Sequence, residues 1–270
     1  MRLWKSIFNF YIQSSIHVAL AICALTAITV LSYDLPWDFW RFVFIFSASI
    51  TGYNFAKFAG KAGLYHRSLA WNLKEIQVFS FFCFLLLIFA AFKQSFLFLM
   101  INSVLALLTV FYSIPFFKKP HGLRQLSGLK IFIIAAVWSG ATLWLPLANN
   151  KQLLSWDVLD RTLSYFVFVL ALILPFEIRD LKYDNSNLGT FPQRFGVANT
   201  RVFGYLLLMI FVVLNYFLPS VNSHQFIISV VIALLTMVLI RFANTSNVNY
   251  YASFWVESVP IIWFALLWLT

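Results

Sequence analysis

Residues 177–196, EIRDLKYDNSNLGTFPQRFG, lie between two long apolar runs, residues 161–176 and 200–219. Three of the nine carboxylates of the chain, Glu177, Asp180 and Asp184, stand in this stretch at spacings of three and four residues. On a helix these spacings place all three on one face. Carboxylates beside a bilayer cost free energy and need partners. The stretch therefore predicts that a divalent cation, or lysines and arginines from elsewhere in the fold, lie against it.

The composition around that stretch is typical of a membrane protein. Of the 270 residues, 62% are hydrophobic and only 10% are charged, whereas a soluble domain carries about 25% charged residues. A spanning helix needs ~20 mostly apolar residues, and the sequence offers nine such segments, at roughly 11–32, 37–57, 76–92, 95–115, 129–148, 161–177, 200–219, 224–242 and 250–269. We predict an all-α, multispanning integral membrane helical bundle of about nine transmembrane helices, forming one domain over residues 1–270.

The basic residues are unevenly divided between the two sides of this predicted bundle. With nine spans, fifteen of the nineteen lysines and arginines fall on the side of the N-terminus. Because cytoplasmic loops are enriched in these residues, we expect the N-terminus in the cytoplasm and the C-terminus on the opposite side. Three loops, 57–75, 116–130 and 177–200, then lie on the cytoplasmic face. The net charge of +10 follows from topology, so we do not expect nucleic acid as a partner.

A second stretch, YSIPFFKKPHGLRQLSGLK at residues 112–130, ends the fourth predicted span and opens the fifth. Its first two residues place hydroxyl groups at the membrane boundary. Its four cations, Lys118, Lys119, Arg124 and Lys130, suit a diphosphate, whose charge needs several donors. The other interpretation is a cytoplasmic loop that binds lipid headgroups.

The end of the second predicted span carries Asn54, followed by Lys57 and Lys61 at a spacing that places both lysines on one helical face. The two lysines could bind a diphosphate directly, or they could pair with Asp180 and Asp184 across the bundle. A third interpretation is that they extend to the membrane interface. The sequence leaves these alternatives open.

Two of these stretches resemble motifs of the UbiA-type intramembrane prenyltransferases. The acidic stretch is similar to their second motif, D-x-x-D-x-x-x-D followed by G-x-x-T-L-P, with Gly189 and Pro192 after the three carboxylates. The residues from Tyr112 onward are similar to their Y-S-x-P-P-x-x-x-K segment. Their first motif, N-D-x-x-D-x-x-x-D, is matched here in Asn54 alone. Its aspartate positions are occupied by Phe55, Phe58 and Ala62.

This resemblance implies an enzyme that transfers a polyprenyl group from a prenyl diphosphate to a hydrophobic acceptor in the bilayer. The acceptor would be aromatic, a quinone precursor or lipid-like, and Mg²⁺ would assist. The implied catalytic residues are Asp180, Asp184 and Tyr112, and the implied metal ligands are Glu177, Asp180 and Asp184. The residues expected to bind the diphosphate are Asn54, Lys57, Lys61, Ser113, Lys118, Lys119, Arg124, Lys130 and Arg179. Of these, Lys57 and Lys61 depart from the family's first motif and would replace one metal ion, so that the second motif holds a single Mg²⁺; if they pair with the aspartates instead, no metal is bound.

The incomplete first motif supports a second hypothesis, a protein of the same fold without transferase chemistry. It would bind an isoprenoid or an anionic lipid, or support a partner protein. A transporter is a weaker hypothesis, because the chain has no internal repeat.

Glu257 is an intramembrane carboxylate, which indicates function, but the sequence does not say which side it faces. Lone polar residues within spans predict interhelical hydrogen bonds at His17, Asn102 and Asn215.

Overall fold

The structure is a computed structural model that describes residues 2–59, 73–113, 129–183, 189–246 and 250–270. Regular secondary structure in these ranges is entirely helical. In chain order the helices are α1 (Arg2–Gln13), α2 (Ile16–Ser32), α3 (Phe39–Ala59), α4 (Leu73–Ala91), α5 (Phe96–Ser113), α6 (Leu129–Ser139), α7 (Trp156–Asp180), α8 (Phe191–Phe217), α9 (Ser223–Phe242) and α10 (Val259–Trp268). Wider π-helical turns continue α6 over Gly140–Trp144 and precede α10 over Tyr251–Val256.

Each of the nine predicted segments falls on a helix, and the predicted all-α membrane bundle is confirmed. In the described part of the chain, five helical stretches are long and apolar enough to cross a membrane: α4, α7, α8, α9 and Tyr251–Trp268. A sixth forms if the bent pair α1–α2 is one span, and α5 and α6 are shorter apolar helices. The total of nine spans stays a prediction.

The helix boundaries differ from the predicted ones where capping residues determine them. Helix α7 begins at Trp156 rather than near residue 161, because the Ser155 hydroxyl accepts a hydrogen bond from the Val158 amide. Asp157 in its first turn and Arg179 in its last turn both complement the helix dipole. The predicted continuation of this span into the acidic stretch is confirmed, since α7 ends at Asp180.

Helix α8 begins at Phe191, about nine residues before the predicted segment, and Pro192 stands in its first turn, where a proline is tolerated. The helix is broken at Gly196, whose φ of 77° and ψ of 162° are open to glycine but costly for other residues. Further along, Gly204 allows α8 to approach its neighbours. A Cβ atom there would lie 2.8 Å from Ile240 Cδ1 and 3.0 Å from Leu174 Cδ1.

Helix α7 occupies the centre of the bundle. Of its most apolar stretch, 67% is buried inside the protein, against 17% for α4. Helices α6, α8 and α9 all pack against α7, and its core residues include Tyr165, Phe168 and Leu174. Helix α4 instead exposes large apolar side chains such as Phe81 and Phe82, as a helix that faces lipid does. The polar end of α7 is thereby held inside the fold.

The N-terminal helix α1 is separate from α2 and is bent from it by 56°. Ser15 between them has a left-handed backbone with φ of 65°. The helix is strongly amphipathic, which is typical of a helix lying at a membrane interface. Its Phe8 ring packs edge-on against Tyr250 and Phe254, so α1 covers the start of the last span.

Polar contacts close the opposite end of the bundle. The Tyr33 hydroxyl donates to Asp157 Oδ2 at 2.5 Å, and Asp157 Oδ1 accepts from the Ser220 amide at 3.2 Å. The buried Arg161 guanidinium donates to the Ser220 hydroxyl at 3.1 Å. Burial, followed by the hydrogen bond to Asp157, raises the pKa of the Tyr33 phenol above its ordinary value. These contacts join α2, α7 and the turn after α8.

Candidate active site

The acidic stretch begins inside the protein. The Glu177 side chain is 2% exposed, and its Oε1 atom lies 3.4 Å from Lys130 Nζ at the start of α6. A carboxylate this deeply buried needs such a partner, because desolvation costs several kcal/mol when it is not compensated. Lys130 was predicted to bind diphosphate and Glu177 to bind metal. The structure brings the two together.

Arg179 and Asp180 form a two-point ion pair at the end of α7. Arg179 Nε donates to Asp180 Oδ1 at 2.7 Å, and its terminal nitrogen donates to Oδ2 at 3.1 Å. The guanidinium also lies over the Phe176 ring, 5.1 Å from its centroid. Both carboxylate oxygens of Asp180 are thus held by arginine in this structure. Lys57 and Lys61, which were predicted as possible partners of Asp180, would have to compete with Arg179 for this carboxylate.

Asn54 and Lys57 at the end of α3 belong to one directed chain of hydrogen bonds. Lys57 Nζ donates to Ser15 Oγ at 3.0 Å, and Ser15 Oγ donates to Asn54 Oδ1 at 2.8 Å. Asn54 Nδ2 donates to the Ser14 carbonyl at 3.1 Å and to Ser80 Oγ at 2.7 Å. Donors and acceptors are therefore matched across α3, α4 and the bend between α1 and α2. Asn54, the residue that matches the first motif in the sequence, therefore joins α3 to α4 and to the bend between α1 and α2.

The Lys57 ammonium is held at the same end of the bundle as the acidic stretch. It also donates to the Gln13 carbonyl at 3.2 Å. In the last span, Ser258, the residue after Glu257, contacts His17 at 3.1 Å, and His17 stands two residues after Ser15, which accepts from Lys57. Glu257 therefore lies at this end of the last span.

A second polar group stands beside Glu257. His17 is buried, its Nδ1 lies 2.6 Å from the Tyr11 hydroxyl, and its Nε2 lies 3.0 Å from the Phe254 carbonyl and 3.1 Å from Ser258 Oγ. A carbonyl only accepts, so Nε2 carries a hydrogen, and in the neutral ring Nδ1 accepts from Tyr11. The predicted interhelical hydrogen bond of His17 is therefore confirmed.

Of the other two side chains predicted to form interhelical hydrogen bonds, Asn215 and Asn102, only the first does so in the described part of the chain. Asn215 of α8 donates to Ser164 Oγ of α7 at 2.8 Å, which confirms the prediction. No hydrogen bond of the Asn102 side chain is found within the described residues.

Several predicted site residues lie outside the described residues: Lys61, Lys118, Lys119, Arg124 and Asp184. Tyr112 and Ser113 end helix α5, and their side chains are likewise outside the described part. For these residues the predicted roles stay predictions. Within the described ranges, no group of three histidine, cysteine, aspartate or glutamate side chains could hold a metal ion. The described carboxylates alone do not compose a magnesium site.

Two features of the site were not recognised in the sequence. Ser15 and Gln13, at the bend between α1 and α2, accept from Lys57, and Tyr11 is bonded to His17, whose other partners lie in the last span. The sequence signal for the break within the last span is Pro260, which stands in the first turn of α10 just after the π-helical turn. π-Helical turns are frequent at functional sites.

Two solved structures resemble this chain over nearly its whole length. A UbiA homolog from Aeropyrum pernix K1, in its apo form, matches with a TM-score of 0.68 and 13% sequence identity, over 94% of this chain and 98% of that chain. A structure of digeranylgeranylglyceryl phosphate synthase matches with a TM-score of 0.55 and 16% identity, over 100% of this chain and 97% of that chain. By sequence, no family model and no curated protein matches.

These findings define the class of protein. It is a multispanning helical membrane protein in which acidic and basic side chains of α6 and α7 pair at one end of the bundle. Its fold is the UbiA-type fold.

Proposed function

We propose that this chain is an intramembrane prenyltransferase that transfers a polyprenyl group from a prenyl diphosphate to a hydrophobic acceptor in the bilayer. The observation that carries the proposal is the gathering of Lys57, Lys130 and Arg179 at one end of a UbiA-type bundle. One of the two similar structures is of a digeranylgeranylglyceryl phosphate synthase, whose name points to a lipid-like acceptor. The alternative acceptor is an aromatic compound or a quinone precursor.

The cations would act on the leaving group. When the allylic C–O bond breaks, negative charge develops on the diphosphate, and cations fixed at that position lower the barrier. Lys57 is held by two oxygen acceptors, and Arg179 is packed on Phe176, so both are oriented before substrate arrives. The predicted contribution of Tyr112 is to orient the diphosphate or to shield the allylic cation with its ring. The apolar bundle around them would keep water from the cation.

Magnesium remains part of the proposal. The ion would be held by Asp180 and Asp184, and it would neutralise charge on the diphosphate. The described residues favour direct neutralisation by lysine and arginine, because the Asp180 carboxylate is bound by Arg179 and that of Glu177 is beside Lys130. Removing Mg²⁺ with a chelator therefore tests whether diphosphate binding and turnover require the ion.

The second candidate function is a non-catalytic protein of this fold that binds an isoprenoid or an anionic lipid. The specific observation that favours it is the state of the first acidic motif. Phe55 and Phe58 occupy two of its aspartate positions, and Asn54 is engaged in the hydrogen-bond chain that joins α3 to α4. Both functions predict diphosphate or phosphate binding, and product formation separates them.

The test is turnover by the purified protein in detergent, with a labelled prenyl diphosphate and either a long-chain alcohol or a hydroxylated aromatic acid. We expect a prenylated product, and we expect Asp180→Asn with Asp184→Asn to reduce its rate about 100-fold or more. Asp160→Asn is the matched control, since Asp160 is an exposed carboxylate at the other end of α7. Binding of the diphosphate with no product from either acceptor would support the non-catalytic function.

The metal is tested in the same assay. If Mg²⁺ takes part, chelator lowers diphosphate affinity in the wild type and has no further effect in the double variant. If affinity is the same with and without chelator, the three basic side chains neutralise the diphosphate without the ion.

A further inference from the structure

A groove opens on the outer surface of the bundle between α8 and α9. Its volume is about 280 Å³, and it is lined by Tyr205, Met237, Val238, Arg241 and Phe242. The wall is apolar apart from the hydroxyl of the tyrosine and the guanidinium of the arginine. Val238 and Phe242 are 52% and 63% exposed, so the groove faces the lipid around the bundle rather than the interior of the protein.

Close packing of the two helices forms this groove. Gly204 of α8 lies against Ile240 of α9, and a Cβ atom at the glycine would be 2.8 Å from Ile240 Cδ1. The next residue of each helix, Tyr205 and Arg241, therefore stands beside this contact, and both line the groove. Because residues three and four apart share a helix face, Val238 continues the α9 wall one turn before Arg241.

A second arginine stands at the same end of the α8–α9 pair. Arg201 precedes Tyr205 by one helical turn, and its Nη2 atom donates to the Ala243 carbonyl, two residues after Arg241, at 2.7 Å. The Arg201 Nε atom is buried and has no hydrogen-bond partner within the described residues. This is the end of the bundle that holds the candidate active site, since α8 begins shortly after the acidic stretch.

These arginines have no acidic residue near them in the chain. Residues 185–256 contain three arginines and no aspartate or glutamate. The three ion pairs among the described residues include neither Arg201 nor Arg241. No hydrogen bond of the Arg241 guanidinium or of the Tyr205 hydroxyl is found in the part of the chain that the structure describes. Donors of this kind at the edge of an apolar groove suit an anion that carries an apolar chain.

We propose that the groove binds one anionic phospholipid of the surrounding bilayer. An acyl chain lies along the apolar wall, and the headgroup phosphate accepts from the Arg241 guanidinium and the Tyr205 hydroxyl. Arg201 adds a second positive charge, and the planar guanidinium group matches the geometry of phosphate oxygens. The arginines stand on the predicted cytoplasmic face, where anionic lipids concentrate and attract basic residues beside the membrane.

The proposed lipid site is distinct from the candidate active site, and it does not depend on the transfer reaction. Lys130 and Glu177 pair between α6 and α7, whereas the groove lies between α8 and α9 and opens outward. A lipid bound there contacts both helices at once. Because a ligand that binds only the folded state stabilises that state, the lipid should also raise the temperature of unfolding.

The experiment is native mass spectrometry of the full chain in detergent, titrated with phosphatidylglycerol or with phosphatidylcholine of the same acyl chains. Both lipids carry a phosphate, and only the first has a net negative charge. We expect the wild type to bind phosphatidylglycerol about 10-fold more tightly than phosphatidylcholine. Phosphatidylglycerol should also give the larger rise in the thermal unfolding midpoint.

Variants test the two parts of the groove separately. Arg241→Gln should weaken phosphatidylglycerol binding about 10-fold, and Tyr205→Phe should weaken it about threefold. Val238→Trp fills the apolar part without a change of charge and should weaken binding of both lipids. Arg194→Gln is the matched control, because Arg194 is an exposed arginine of α8 that does not line the groove. Arg241 and Val238 are also exposed, so their replacement leaves the packed core intact.

Four results would overturn the proposal. The first is equal affinity of the wild type for the two lipids, and the second is an equal loss in Arg241→Gln and Arg194→Gln, which would be an effect of net charge alone. The third is complete displacement of phosphatidylglycerol by an equal concentration of inorganic phosphate, which would make the ligand a free anion. The fourth is loss of a dimer in Val238→Trp with unchanged lipid binding, which would make the groove an interface between two copies of the chain.

Discussion

The Nζ atom of Lys130 lies 3.4 Å from Oε1 of Glu177, and this ion pair joins the first turn of α6 to the last turns of α7. The two partners are unequal, since the Glu177 side chain is 2% exposed and that of Lys130 is 37% exposed. The carboxylate is therefore the partner that depends on the pair for its charge compensation.

Lys130→Met should lower the free energy of unfolding by about 1–3 kcal/mol, because it removes a cation from a buried carboxylate. Thermal unfolding of the purified protein in detergent measures the change. Lys151→Met is the matched control, since Lys151 is an exposed lysine in a connecting turn. Equal unfolding midpoints for the two variants would contradict the prediction, and Lys130→Met with Glu177→Leu should recover part of the loss.

Lys57→Ala should weaken binding of a prenyl diphosphate by about 10- to 100-fold, as expected for the loss of one charge-assisted hydrogen bond. Equilibrium binding to the detergent-solubilised protein measures it. Lys93→Ala removes the same charge from the turn between α4 and α5, where the backbone amides of Lys93 and Gln94 bond to the end of α4. That control should bind as wild type does. If both variants lose affinity equally, the effect is one of net charge and Lys57 has no special position.

Asn54→Ala should lower the free energy of unfolding by about 2–3 kcal/mol, since it removes three hydrogen bonds from a side chain that is 3% exposed. Ser80→Ala removes one of those bonds and should cost about 1 kcal/mol. Thermal unfolding compares them with Asn199→Ala, an exposed asparagine bonded within its own helix. The prediction does not hold if Asn54→Ala is as stable as the Asn199 variant.

Gly196→Ala should cost about 1–3 kcal/mol in stability, because a φ of 77° is strained for a residue with a Cβ atom. No atom lies within 4 Å of that Cβ position, so the cost is one of backbone conformation alone. Gly52→Ala is the matched control: it is helical and equally open, and it should stabilise α3 by up to about 1 kcal/mol. Similar effects of the two substitutions would show that the break in α8 is not needed.

Much of the fold was predictable because it depends on local composition. Apolar runs of spanning length predicted the helices from α2 to α10, and the turn at Lys93 and the continuation of α7 to Asp180 followed from the same pattern. The separate helix α1 was not predicted, since the first segment was placed at 11–32. The start of α8 could not be predicted, since Pro192 can end a helix as readily as begin one. The broken last span was also missed, because a π-helical turn has no strong sequence signal.

The candidate site was predictable in its residue types and not in its pairings. The sequence indicated that Glu177 and Asp180 need cationic partners, and it offered many lysines and arginines to supply them. It could not choose Lys130 for one and the adjacent Arg179 for the other. Nor could it show that Gln13 and Ser15 would accept hydrogen bonds from Lys57.

The sequence by itself determined that the chain is a helical membrane bundle and that its charged groups gather in a few connections between apolar runs, because a bilayer excludes unpaired polar groups wherever they occur. Only the tertiary structure decided that the last span contacts α2 through Ser258 and His17. The charges that pair with one another are set by the bend between α1 and α2 and by the order in which the helices surround α7. This arrangement depends on contacts between residues far apart in the chain, such as His17 and Ser258, and local sequence cannot predict such contacts.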